Sequence, residues 1–170
     1  MEAKDALFVC VSVCAVMAVT QNVVLAAPTI SCSRDISFGR ILPNCNGNIT
    51  VKATASSGTV NNGCHTLIAG AIQPAICTVA TTLATAAQNV RVTFSRASVT
   101  FSNSVGAGRV TYDQYLIQTA SGSQANTHTF AAALVNPSHV FKVGGRLRFS
   151  NPEPAGTYDG TLQIIITSIP

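Results

Sequence analysis

Apolar and polar residues alternate through this chain in short runs, and each run is closed by Gly, Asn or Pro. Residues 89–95 (NVRVTFS) are the clearest case. Val90, Val92 and Phe94 point one way, and Arg91 and Thr93 point the other. A period of two belongs to a half-buried strand, because successive side chains leave opposite faces of a pleated backbone. The same reading predicts strands at 35–42, 48–54, 74–80, 110–117, 127–134, 139–143, 146–149 and 157–169, with Val99 and Phe101 repeating the pattern. In the first of these, Ile36, Phe38 and Arg40 are placed on one face. Helix signals are confined to 82–88, and 103–108 and 120–126 read as loops.

Composition supports this reading. Charged residues make up 9% of the 170 residues and hydrophobic ones 47%. A soluble protein averages about 25% charged residues. Such a chain is poor in the residues that exposed helices use, yet too apolar to be disordered. Coiled coils, collagen-like fibres, multi-span membrane proteins and large multidomain enzymes are excluded. Many short strands in one domain predict an all-β antiparallel sandwich.

Residues 6–19 carry no charge, and the run is too short for the roughly 20 residues that span a bilayer. Val24 and Ala26 stand three and one places before a cut at Ala26/Ala27. This is the layout of a secretory signal peptide, so residues 1–26 are expected to be removed, leaving 27–170 as a single exported domain. The alternative is an uncleaved anchor. Either way, contact with a membrane is expected through this segment alone. Cys10 and Cys14 read as apolar filler within it. After the cut, residues 27–31 precede Cys32, and Pro28 prevents a long strand there.

Cys32, Cys45, Cys64 and Cys77 remain. In an exported chain such a set predicts disulfides, and no spacing among them suits a zinc site. Sequence leaves several connectivities open. The preferred pairing is Cys32–Cys77 with Cys45–Cys64. The residue numbers of the two pairs add to the same total, so two antiparallel segments in one register would place both pairs opposite each other. The sequential pairing Cys32–Cys45 and Cys64–Cys77 is the alternative.

Chemistry is harder to find. There is no G-x-S-x-G elbow for a serine nucleophile, and His65, His128 and His139 lack an evident acid partner. Beyond residue 26 the carboxylates are Asp35, Asp113, Glu153 and Asp159, of which Glu153 and Asp159 read as solvated turn residues. Residues 106–108 (GAG) lack the Lys and helix of a phosphate loop. No enzyme, metal or cofactor is expected. Lys142, Arg146 and Arg148 form a candidate face for an anionic ligand, weighed against a solvated strand face that resists edge pairing. A net charge of +4 is too small for a nucleic-acid footprint.

The most specific stretch lies near the end of the chain. Gly144-Gly145-Arg-Leu-Arg-Phe is followed by Pro154-Ala-Gly156-Thr-Tyr158-Asp-Gly160-Thr-Leu and a long final strand. Ile36-Ser-Phe38-Gly39-Arg-Ile41 opens the domain, and Pro74-Ala-Ile-Cys-Thr-Val79 fits a middle strand. Together these resemble a secreted, pilin-like bacterial family of unknown function, related to spore coat protein U-type and fimbrial domains. The resemblance implies an immunoglobulin-like sandwich exported through the periplasm to the cell surface. It carries no catalytic residue.

The expected role is a structural subunit of a fimbria-like appendage that assembles through strand edges. The expected partners are copies of itself or other surface subunits, with a periplasmic chaperone as a further candidate. The alternatives are a monomeric adhesin-like binding module and a spore or outer-coat protein. Gly156 and Tyr158 are expected to build the turn into the last strand. Leu162, Ile164 and Ile166 are expected to fill the pocket at an assembly edge.

Overall fold

The computed structural model describes residues 7–17, 27–43, 45–54, 59–61, 65–81, 88–104, 108–117, 125–135, 138–150, 153–154 and 156–169. In chain order the strands are β1 (Leu7–Met17), β2 (Thr29–Arg34), β3 (Ile36–Pro43), β4 (Gly47–Val51), β5 (Thr59–Asn61), β6 (His65–Gln73), β7 (Ala75–Ala80), β8 (Asn89–Phe94), β9 (Ser98–Asn103), β10 (Arg109–Ile117), β11 (Thr127–Phe130), β12 (Ser138–Phe149) and β13 (Gly156–Ile169). One helical turn, α1 (Ala132–Val135), joins β11 to β12.

Hydrogen bonding follows the path β2-β7-β12-β10-β9-β13-β1-β3-β6. Long strands change neighbours along their length. β12 pairs with β7 from Ser138 to Val143 and with β4 from Gly145 to Phe149. β13 pairs with β9 at Tyr158 and Asp159 and with β8 from Ile164 to Ile169. Strands that switch partners in this way let one ladder fold into two facing layers. Every pairing is antiparallel except that of β1 with β13. The fold is an all-β sandwich stapled by a disulfide.

The core is aromatic at its centre. Tyr112 lies edge-on to Phe38 and Tyr115, at 5.8 and 5.0 Å between ring centroids, and stacks near Phe101. Its hydroxyl donates to the Gly144 carbonyl at 2.7 Å. Gly145 lies against that ring, and a Cβ there would meet Cε2 at 2.5 Å. Around this centre, Val90, Val92, Phe94, Val110 and Leu147 supply the inward residues of alternating strands.

Cys32 and Cys77 are directly opposite in the β2–β7 ladder and are bonded, the preferred pairing, although the single register that suggested it is broken after Cys32 and again around Arg40. Cys45 is also disulfide-bonded. Its expected partner, Cys64, lies outside the described residues. The β3–β6 ladder reaches Pro43 opposite His65, so it runs toward that pair.

The structure corrects several local readings. Arg40 is exposed and Ile41 buried, because Gly39 takes a φ of +71° and the ladder shifts register there. The strand predicted at 127–134 stops at Phe130 and gives way to the α1 turn. The runs 139–143 and 146–149 are one strand, β12. Strands β1, β2, β5 and β6 have no counterpart in the sequence reading. The helix signal at 82–88 and the loop at 120–126 lie mostly outside the described residues.

Candidate functional site

The closing strand β13 begins at a tight turn. Tyr158 is fully buried, and its hydroxyl donates to the Pro154 carbonyl at 2.8 Å. Burial raises its pKa above the ordinary phenol value. Gly156 has a φ of +154°, and a Cβ there would collide with the Asn103 amide. The turn therefore requires glycine. Glu153, expected to be a solvated turn residue, accepts at the surface from the backbone amides of Arg109 at 3.1 Å and Ser150 at 3.2 Å. It closes the turn against the start of β10. The side chain of Asp159 is not described.

Leu162, Ile164 and Ile166 are buried at 1%, 0% and 4% exposure. They fill this chain's own core. With residues 7–17 in place β13 is an interior strand, because β1 covers the side facing β3. The β1–β13 register is continuous from Leu7 opposite Gly156 to Met17 opposite Ile166. On its other side β1 pairs with β3, from Leu7 opposite Ile41 to Val11 opposite Ile36. β1 is thus the hydrogen-bonded bridge that holds the β3–β6 pair to the rest of the ladder.

The cationic face is partly neutralised within the chain. Lys142, Arg146 and Arg148 alternate on one face of β12, but two of the three charges share one carboxylate. Arg146 Nε donates to Asp113 Oδ1 at 2.8 Å, and its Nη2 donates to Oδ2 at 3.1 Å. Arg148 Nη2 reaches Oδ2 at 2.7 Å. The bond to Asp113 raises the Arg146 pKa further.

A bulge in β10 after Asp113 creates this arrangement. Gln114 adopts a φ of +48° there, and its amide oxygen, turned toward Arg146, accepts from Nη1 and Nη2 at 3.2 Å. Sequence reasoning missed Asp113. The available signal was an acid inside an apolar strand of a chain with few acids, which needs a cation opposite it. Asp113→Asn should cost about 2 kcal/mol, below the roughly 3–5 kcal/mol of a fully buried broken pair because Arg148 is half exposed. Arg148→Gln should cost about 0.5 kcal/mol. Urea melts of the two variants check both values.

His128 and His139 flank Phe130, with ring centroids 4.5 and 5.1 Å from it. Burial, and secondarily the nearby His139, lowers the His128 pKa below its usual 6.5. The fold therefore favours neutral His128. Its contribution is complete above about pH 6.5 and is lost as pH falls toward the lowered value. Thermal melts between pH 7.5 and 5 should show this decline, and His128→Gln should flatten it.

Among the described residues no cluster of His, Cys, Asp or Glu is arranged to hold a metal ion. Residues 29–167 match the family described as a domain of unknown function, DUF4402. The chain belongs to the DUF4402 family. The match starts at the first residue of β2 and ends within β13, so β1 lies outside the DUF4402 domain. No curated protein is significantly similar to the chain.

Proposed function

We propose that this DUF4402 protein is an exported structural subunit that joins a surface assembly through strand edges. One observation carries the reading: β1, the strand between β13 and β3, is the segment whose sequence has the layout of a removable leader. It also lies outside the family's domain. Once residues 1–26 are cut away, β13 and β3 face each other as two open edges across a slot one strand wide. A strand from a neighbouring polypeptide would restore both ladders by β-augmentation. Main-chain hydrogen bonds would supply affinity, and alternate apolar side chains would fix register.

The resemblance of the opening and closing motifs to pilin-like and spore coat protein U-type domains points the same way, toward a route through the periplasm to the cell surface. Negative-stain microscopy of producing cells, with gold-labelled antibody to the domain, tests the proposal. Label on a surface structure is the expected result. A chain found solely as free protein in the medium or periplasm would reject it.

A further inference from the structure

We infer that the outward face of β9, β10, β12 and β4 binds an acidic polysaccharide, whose carboxylates are held by Arg109 and Arg148. The inference goes beyond the strand-edge function and does not depend on it, because β1, β3 and β13 take no part in this face.

The register builds the face. Thr111 stands opposite Arg148, which stands opposite Asn48 on its other side. Asp113, Arg146 and Thr50 form the next row in the same way. β9 extends the two rows with Thr100 and Ser98. Successive residues of a strand leave opposite faces, so the intervening Phe101, Val110, Tyr112, Leu147 and Ile49 point into the core, where all are buried. Hydroxyls, an amide, guanidinium groups and the Asp113 carboxylate are left outside. Neither row carries an apolar or aromatic side chain.

At one end of the face, Arg109, Thr111, Arg148, Asn48 and Ser150 are among the residues that line a cleft of about 420 Å3. Arg109 and Arg148 enter it from neighbouring strands as a diagonal pair, within reach of each other's ligands. Among the described residues no carboxylate pairs with the Arg109 guanidinium. Asp113, Gln114, Asn126 and Arg146 help to line a second polar cleft, of about 520 Å3. Arg148 lines the first cleft and bonds to Asp113 in the second, so the two are adjacent. A ligand that occupies both is extended, which is the shape of a polymer rather than of a single sugar.

Charge selects an anion. Lys52, Arg109, Lys142, Arg146 and Arg148 outnumber the acids around the face, Asp113, Glu153 and, across β9 from Arg109, Asp159. Asp113 is already held by two arginines, and Glu153 by two backbone amides. The uncharged groups select a sugar. A single-stranded nucleic acid needs aromatic platforms for its bases, a membrane needs apolar residues to insert, and a protein partner needs an aromatic or aliphatic anchor. The two rows offer none of these. Hydroxyls and amides instead exchange hydrogen bonds with ring hydroxyls, and a guanidinium takes a carboxylate through two parallel bonds.

Calorimetric titration of the full chain, exported with its own leader, tests the inference. The probes are oligogalacturonate, galacturonate monomer, neutral dextran and polyphosphate, a polyanion without ring hydroxyls. Oligogalacturonate should bind, more tightly than the monomer, and dextran and polyphosphate should not. Arg109→Gln should weaken oligomer binding about tenfold, because it removes a charge-assisted contact. Arg91→Gln, on β8, which pairs with β11 and β13 instead, should leave it unchanged. No binding of oligogalacturonate, or equal binding of dextran, would overturn the inference. Polyphosphate bound as tightly, or equal losses in the two variants, would reduce the face to general electrostatic attraction and overturn it too. Equal affinity for monomer and oligomer would overturn the assignment to a polymer. Each of these results leaves the strand-edge function standing.

Discussion

Replacing Cys32 and Cys77 together with alanine should lower the stability of the exported chain by about 4 kcal/mol. The bond closes a loop with a sequence separation of 45 residues, and cross-linking a loop of that size removes about that much chain entropy from the unfolded state. A domain of this size is stable by about 5–15 kcal/mol in all, so the loss is a large share. The melting temperature should fall by roughly 8–16 °C. The effect has a structural side as well, because the bond ties the edge strand β2 to β7, whose inward residues line the core. Calorimetry of the oxidised protein and the double variant measures it. A fall of less than about 2 °C would mean that the β2–β7 ladder holds without its staple.

Tyr112→Ala should cost about 4 kcal/mol, comparable to the loss of the staple. The ring is fully buried and touches Phe38, Phe101 and Tyr115, which come from three other positions on β3, β9 and β10. Removing it opens a cavity at the point where the layers meet. Tyr112→Phe separates the ring from its hydroxyl. That variant should cost about 1.5 kcal/mol, from the lost hydrogen bond to the Gly144 carbonyl. The two losses together distinguish a packing role from a polar one. Near-equal losses, read from urea melts, would contradict the central place given to the ring.

Strands with one wet and one dry face were legible in the sequence. β8 and β13 alternate cleanly, and their inward residues Val90, Val92, Leu162 and Ile164 are all buried. The Cys32–Cys77 bond was the preferred pairing, but the single register that suggested it does not run through, because β2 pairs with β7, β3 pairs with β6, and both ladders shift. β6 was not legible, because it lacks that contrast. Residues 66–71 are all exposed, including the adjacent Leu67 and Ile68, and the ladder slips near Gly70. A register shift at Gly39 likewise turned Arg40 outward, and nothing in a period of two announces a bulge.

The candidate site was half legible. Gly156, Tyr158 and the inward residues of β13 stood out in the sequence. The slot did not, because it is defined by what lies beside β13. Residues 7–17 are apolar enough for a leader and rich enough in valine for a strand, and the two readings share the same residues. The Asp113–Arg146 pair was out of reach for a simpler reason. Its partners are 33 positions apart and meet through the β10–β12 register.

Hydrogen exchange on the processed chain, alone and with a peptide of the residue 7–17 sequence carrying serine at positions 10 and 14, tests the slot most directly. Without the peptide, the alternate amides of Gly156–Ile166 directed toward β3 should exchange freely, as should those of Ile36–Ile41 directed toward β13. With the peptide bound they should become protected, one peptide per chain. Full protection of both edges in the chain alone, or no change on adding the peptide, would contradict the account.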